Sequence, residues 1–134
     1  AAERAFLNTL TVAAGPIRRH VDQDKVEALL TTQHRSFEML ATSDRRGCPA
    51  GAAFAFSLDW QATRGLLDRA AMMLGIEEQA CHLPVLEQTI ELANTLARDS
   101  ATERAMAFGS EQLLAQQRGL WLLIAARHKV MTSL

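Results

Sequence analysis

Tyrosine is absent from this chain, and its only lysines are Lys25 and Lys129. Valine and isoleucine are scarce while alanine is abundant, a balance that favours helix over strand. Only three prolines and seven glycines interrupt 134 residues, so few breaks are expected within elements. No apolar run approaches the roughly 20 residues that a membrane-spanning helix needs, which excludes a membrane span. Charge of one sign is also missing. Fourteen basic and fifteen acidic residues leave a net charge of −1, without the basic excess that nucleic-acid binding calls for. The preference for arginine over lysine reads as genome composition before function.

What is present is apolar: 49 % of residues are hydrophobic and 22 % charged, which excludes disorder. At this length the chain 1–134 is expected to be a single domain with a core of its own.

Signatures of chemistry are missing as well. There is no G-x-S-x-G elbow, no phosphate-binding glycine loop, no Cys-x-x-Cys and no Cys-x-x-Cys-His. Two carboxylate–imidazole pairs, His34 with Glu38 and Glu78 with His82, have the i,i+4 spacing that places both groups on one helix face. Ferritin-like di-iron sites use Glu-x-x-His instead, and that pattern does not occur here. Arg18-Arg19-His20 and Arg45-Arg46 are small basic clusters, best read as solvated helix ends. Methionine at helical spacing reads as core filler rather than as a haem ligand. No catalytic residue, cofactor or metal ligand is assigned, and a non-enzymatic role is expected.

Cys48 and Cys81 lie in separate segments, and an even count is compatible with one disulfide. Closing that loop would stabilise the fold by about 3–4 kcal/mol in the chain-entropy model. The chain starts Ala1-Ala2-Glu3, as a mature end would after cleavage at a small-residue site. Together these predict a bridged, periplasmic or secreted protein. The alternative is a cytoplasmic one with two buried free thiols.

Hydrophobic spacing predicts helices over 3–13, ended by Gly15-Pro16, and over 23–41, capped by Asp22. Residues 42–51 read as the clearest loop. The small–large alternation of 52–58 predicts a helical or irregular plug that sends Phe54 and Phe56 into the core. Asp59 then reads as the N-cap of a third helix over 60–74, stopped by Gly75, and Pro84 as the first residue of a fourth over 84–98.

The rest is organised around residues 100–131, one long C-terminal helix. Ser100 and Glu103 form a capping box at its start. Gly109 offers a bend, with Ser110 as a second cap. The block 119–126, which holds Trp121, is apolar on every side and so calls for cover on every side. Short loops predict antiparallel neighbours. The expected fold is therefore all-α, a compact bundle of four to six helices around a long C-terminal helix.

The expected function is that of a non-enzymatic binding or interaction protein, such as an exported bacterial inhibitor, immunity or accessory protein. It would present a helix face or the 44–51 loop to a protein partner, or self-associate through the C-terminal helix. The alternative is a small-molecule sensor or carrier with an apolar cavity between helices near Trp121. The candidate surface comprises Arg45, Arg46, Phe54, Phe56, Met106, Phe108 and Trp121.

Overall fold

A computed structural model describes residues 1–17 and 22–133. Among these residues the chain forms five α-helices and no strand. They are α1 (Ala2–Ala14), α2 (Gln23–Ala41), α3 (Cys48–Met73), α4 (Leu86–Leu96) and α5 (Ser100–Thr132). The fold is an all-helical bundle with a long C-terminal helix. No helix is long and apolar enough to cross a membrane. The basic cluster Arg18-Arg19-His20 lies outside the described residues.

Several helix ends fall where the sequence puts them. Gly15 and Gly75 close α1 and α3 with φ of 80° and 74°, a conformation that side chains with a Cβ rarely adopt. The start of α5 is shifted by one residue. Asp99, not Ser100, is the cap, and its Oδ1 accepts the Thr102 amide at 2.8 Å. That bond holds the Asp99 carboxyl below the usual carboxylate range. α4 is shorter than expected, because Pro84 and Val85 stay extended ahead of it.

The largest departure is α3. It runs without a break through the expected plug and the expected cap, over 26 residues. Asp59 sits mid-helix and caps nothing; its Oδ2 accepts from Gln117 Nε2 at 2.7 Å. Nothing between Gly51 and Gly65 stops a helix, so the Ala-Phe-Ala-Phe alternation of 53–56 folds as one helical turn.

α3 and α5 make the most extensive helix–helix contact. They run parallel: Cys48 lies against Gly109, and Asp59 reaches Gln117. The two point the same way because α4 carries the chain back along α3 before α5 begins. At the crossing the two backbones touch. A Cβ on Gly51 would stand 2.6 Å from Met106 Cα, and one on Gly109 would stand 2.9 Å from the Cys48 carbonyl carbon. Ser110 Oγ donates to Gly51 O at 2.8 Å across the same contact. Gly109 is therefore a point of close approach and does not bend α5, and Ser110 caps nothing.

Ala52, Ala55 and Leu113 continue the interface, with Phe37 and Leu40 of α2 packed on it. α2 runs antiparallel to α5, since Gln33 bonds Gln116 and Gln23 bonds Arg127. α1 lies on the far half of α3, where Phe6 and Leu10 bury themselves against Leu67, Ala70, Ala71 and Ile76.

The apolar block of α5 is not clothed all round. The buried residues of α5 end at Gln117, and beyond it Trp121 is 39 % and Leu122 66 % exposed. α2 follows α5 from Leu40 at the crossing to Gln23 at Arg127, but one helix covers one side only, and the other faces of this block stay open.

Candidate functional site

Beyond the glycine crossing, α3 and α5 no longer touch backbone to backbone. At Asp59 and Gln117 two side chains span the gap. One turn further on, the gap becomes an open groove of about 510 Å³. Its walls come from four helices: Leu7 of α1, Gln33 and Phe37 of α2, Phe56 to Leu67 of α3, and Gln117 to Ile124 of α5. On α5 the lining positions are 117, 120, 121 and 124, the spacing of one helix face.

The groove is aromatic on one side. Phe56 stacks on Trp60 with ring centroids 6.2 Å apart and planes 13° apart, and meets Phe37 edge-on at 6.4 Å. Trp121 forms the opposite wall. The polar side chains of the lining are Gln33, Thr63 and Gln117; no charged side chain lines it. Gln33 Nε2 donates to Gln116 O at 3.1 Å and to Gln117 Oε1 at 3.4 Å.

Behind the Trp60 wall lies a buried charge cluster. Arg64 is 2 % exposed. Its guanidinium donates to Asp68 at 2.8 Å, to Glu3 at 2.5 Å and to the Gln79 carbonyl, and stacks 3.9 Å from the centre of the Phe6 ring. Glu3 also accepts from the Trp60 indole at 2.7 Å. Burial pushes the Glu3 carboxyl up, but the Trp60 and Arg64 hydrogen bonds and the Arg64 charge outweigh it, leaving the group below its ordinary value. Burial likewise opposes the Arg64 charge, and its two carboxylates overcome that and raise it. The cluster ties α1 and the segment after α3 to one side of the groove, and it fixes the Trp60 ring from behind.

Of the residues singled out from sequence, Phe56 and Trp121 meet in this groove. Phe54 is half-buried outside its lining, and Phe56, 40 % exposed, does not enter the core. Met106 is buried at the glycine crossing. Phe108 lies under the Arg45 guanidinium at 5.0 Å, beside a separate recess of about 300 Å³ that Cys48 also lines. Arg46 is exposed.

The predicted disulfide does not form. Cys48 is buried and free, and Cys81 is exposed and free. Cys48 starts α3, whereas Cys81 follows Gln79, which is bonded to Arg64 sixteen residues further along that helix. That is about 24 Å of helix, against the 4.4–6.8 Å that a bridge allows between Cα atoms. The bridge thus drops out of the argument for export.

His34 and Glu38 form an exposed pair at 3.3 Å. Glu78 and His82 do not share a helix, which removes their spacing argument. Among the described residues no three His, Cys, Asp or Glu side chains cluster as a metal site would require.

Trp60, Arg64 and Gln117 are the residues that the sequence reading missed. The signal was present. Arg64 lies on the stripe of Trp60, Leu67 and Ala71, and Gln117 on that of Leu113, Leu120 and Ile124. A polar residue inside an apolar stripe is bonded to something.

Residues 1–132 match DUF6975, a family of unknown function. The chain belongs to that family. No curated protein and no solved structure matches it. The DUF6975 match spans all five helices, so the groove and the charge cluster both lie within the family's region.

Proposed function

We propose that the chain is a non-enzymatic binding protein that takes a small apolar molecule in the groove beside Trp121, as a sensor or carrier domain does. The observation that carries this reading is the groove itself: about 510 Å³, four-walled, lined by Phe37, Phe56, Trp60 and Trp121, with three amide or hydroxyl side chains and no charge. Small-molecule sites have this size and this mix of apolar walls with a few polar groups. The lining offers no thiol, imidazole or carboxyl group for acid–base or nucleophilic chemistry, which favours binding over catalysis.

The test is titration with the neutral fluorophore N-phenyl-1-naphthylamine. Saturable fluorescence enhancement is expected with the wild type, weakened at least tenfold in Trp121→Ala and unchanged in Phe108→Ala. Equal binding by all three, or none by the wild type, would reject the groove.

A second reading, partner binding or self-association through α5, is favoured by a different observation. Leu122, Val130 and Met131 on the far half of α5 and Leu29 on α2 are each about half exposed or more. Exposed large apolar side chains are what an interface would cover. Sedimentation of the wild type against Leu122→Glu separates this reading, because Leu122 does not line the groove. The 44–51 loop offers less: it has no bridge, its Arg45 is spent on Phe108, and from Cys48 onward it is helix.

A further inference from the structure

We infer that the groove selects its ligand by charge, taking an apolar molecule that ends in a hydrogen-bond donor, neutral or cationic, and rejecting apolar anions. This deepens the small-molecule reading and rests on it.

The argument starts from Asp59. As a carboxylate it can only accept. Gln117 must therefore turn its NH₂ toward Asp59, as the 2.7 Å contact shows. That leaves the Gln117 amide oxygen facing Gln33, so Gln33 must answer with its own NH₂, which it also gives to the Gln116 carbonyl. Both amide orientations follow from the one acid at the end of the relay. The group left over is the Gln33 amide oxygen, which has no hydrogen-bond partner among the described residues and sits on a side chain that lines the groove. The polar floor thus offers the Gln33 acceptor to a ligand, beside the second Gln117 N–H and the Thr63 hydroxyl.

Charge points the same way. No Arg, Lys or His lines the groove. On the nearby half of α5, Arg118, His128 and Lys129 are exposed outside the lining, and Arg127 donates to Gln23. The formal charge bonded to the floor is the negative Asp59, one hydrogen bond behind Gln117. A carboxylate or sulfate entering here would lose water and face the Asp59 charge with no counter-ion in the lining. An alcohol keeps a hydrogen bond, and an ammonium keeps one and gains the field of Asp59.

Three ligands that share one chain and differ only in the head group test this: dodecan-1-ol, dodecylammonium and dodecanoate, each below its micelle concentration. Each displaces N-phenyl-1-naphthylamine from the wild-type protein at pH 7.5. The expected order is dodecylammonium tightest, then the alcohol, then dodecanoate, with at least tenfold between the two ions. Asp59→Asn should bring the two ions closer by several-fold. Dodecanoate binding as well as the alcohol or better overturns the selectivity while leaving the groove standing. Failure of all three to displace a probe that itself binds overturns both.

Discussion

The glycine crossing makes one substitution work in opposite directions at different points of the same helices. Gly51→Ala and Gly109→Ala each add a single methyl where a backbone already stands. The new carbon at 51 would lie 2.6 Å from Met106 Cα, about 1 Å short of ordinary carbon contact, and nothing there is a flexible side chain that could turn away. The helices must separate. That loosens the Ser110 bond to Gly51 and the packing of Ala52, Ala55 and Leu113. Overpacking of this kind costs about 1–3 kcal/mol, occasionally more, and the better helix propensity of alanine returns up to about 1 kcal/mol. Backbone against backbone belongs at the top of that range, so we expect a net loss of about 2 kcal/mol or more at either position.

Gly65 and Gly119 are the controls. Both lie inside the same two helices, and a Cβ there meets nothing within 4 Å. Gly65→Ala and Gly119→Ala should therefore stabilise by about 0.5–1 kcal/mol through propensity alone. Urea unfolding followed by circular dichroism at 222 nm reads all four, with unchanged m-values. Gly51→Ala or Gly109→Ala as stable as the wild type would show that the two backbones do not touch, and the parallel α3–α5 pairing would fall with that result.

Three further outcomes follow from the charge cluster and the thiols. Arg64→Met strands the half-buried Glu3 and should cost about 3–5 kcal/mol, while adding Glu3→Gln should recover part of the loss; full additivity of the two in urea melts would contradict a direct pair. The Glu3 carboxyl is held below its ordinary value of 4.5, so the stability it contributes is complete above that pH and is lost as pH falls through the lowered value. Arg64 is raised and stays charged throughout. Acid titration followed by hydrogen exchange in α1 should show release below about pH 4.5 in the wild type, and a Glu3→Gln variant whose exchange is already fast and flat across that range would confirm the cause. A thiol reagent added to the native protein in oxidising buffer should label Cys81 quickly and Cys48 only on unfolding; protection of both, with a two-dalton gain on reduction, would restore the bridge.

The helical class, the stops at Gly15 and Gly75 and the extent of the last helix were legible because each depends on a few adjacent residues. Two kinds of information were not. The first was continuity. Asp59 has the chemistry of an N-cap, and local sequence cannot tell a capping aspartate from one that bonds a glutamine 58 positions away. The plug and the separate third helix both came from that ambiguity. The second was reach. Residues 119–126 show that α5 is apolar all round, but cover depends on the lengths and paths of the other helices. Of the site, Trp121 and Phe56 could be picked out as large apolar groups. Trp60 was read only as the start of a helix, and Arg64 and Gln117 were given no role. In each case the partner that fixes the side chain lies on another helix. The disulfide failed for a related reason, since cysteine count carries no distance.

The contact at Gly51 and Gly109 also acts as a fulcrum. Trp121 lies twelve residues beyond Gly109, about 18 Å along the axis, so a change of 5° in the crossing angle moves that wall by about 1.6 Å. The width of the opening is thereby geared to packing that lies far below it. A methyl group added at the pivot would be felt at the tip as a change in which molecules fit, and a bulky guest at the tip would lever on the pivot in return.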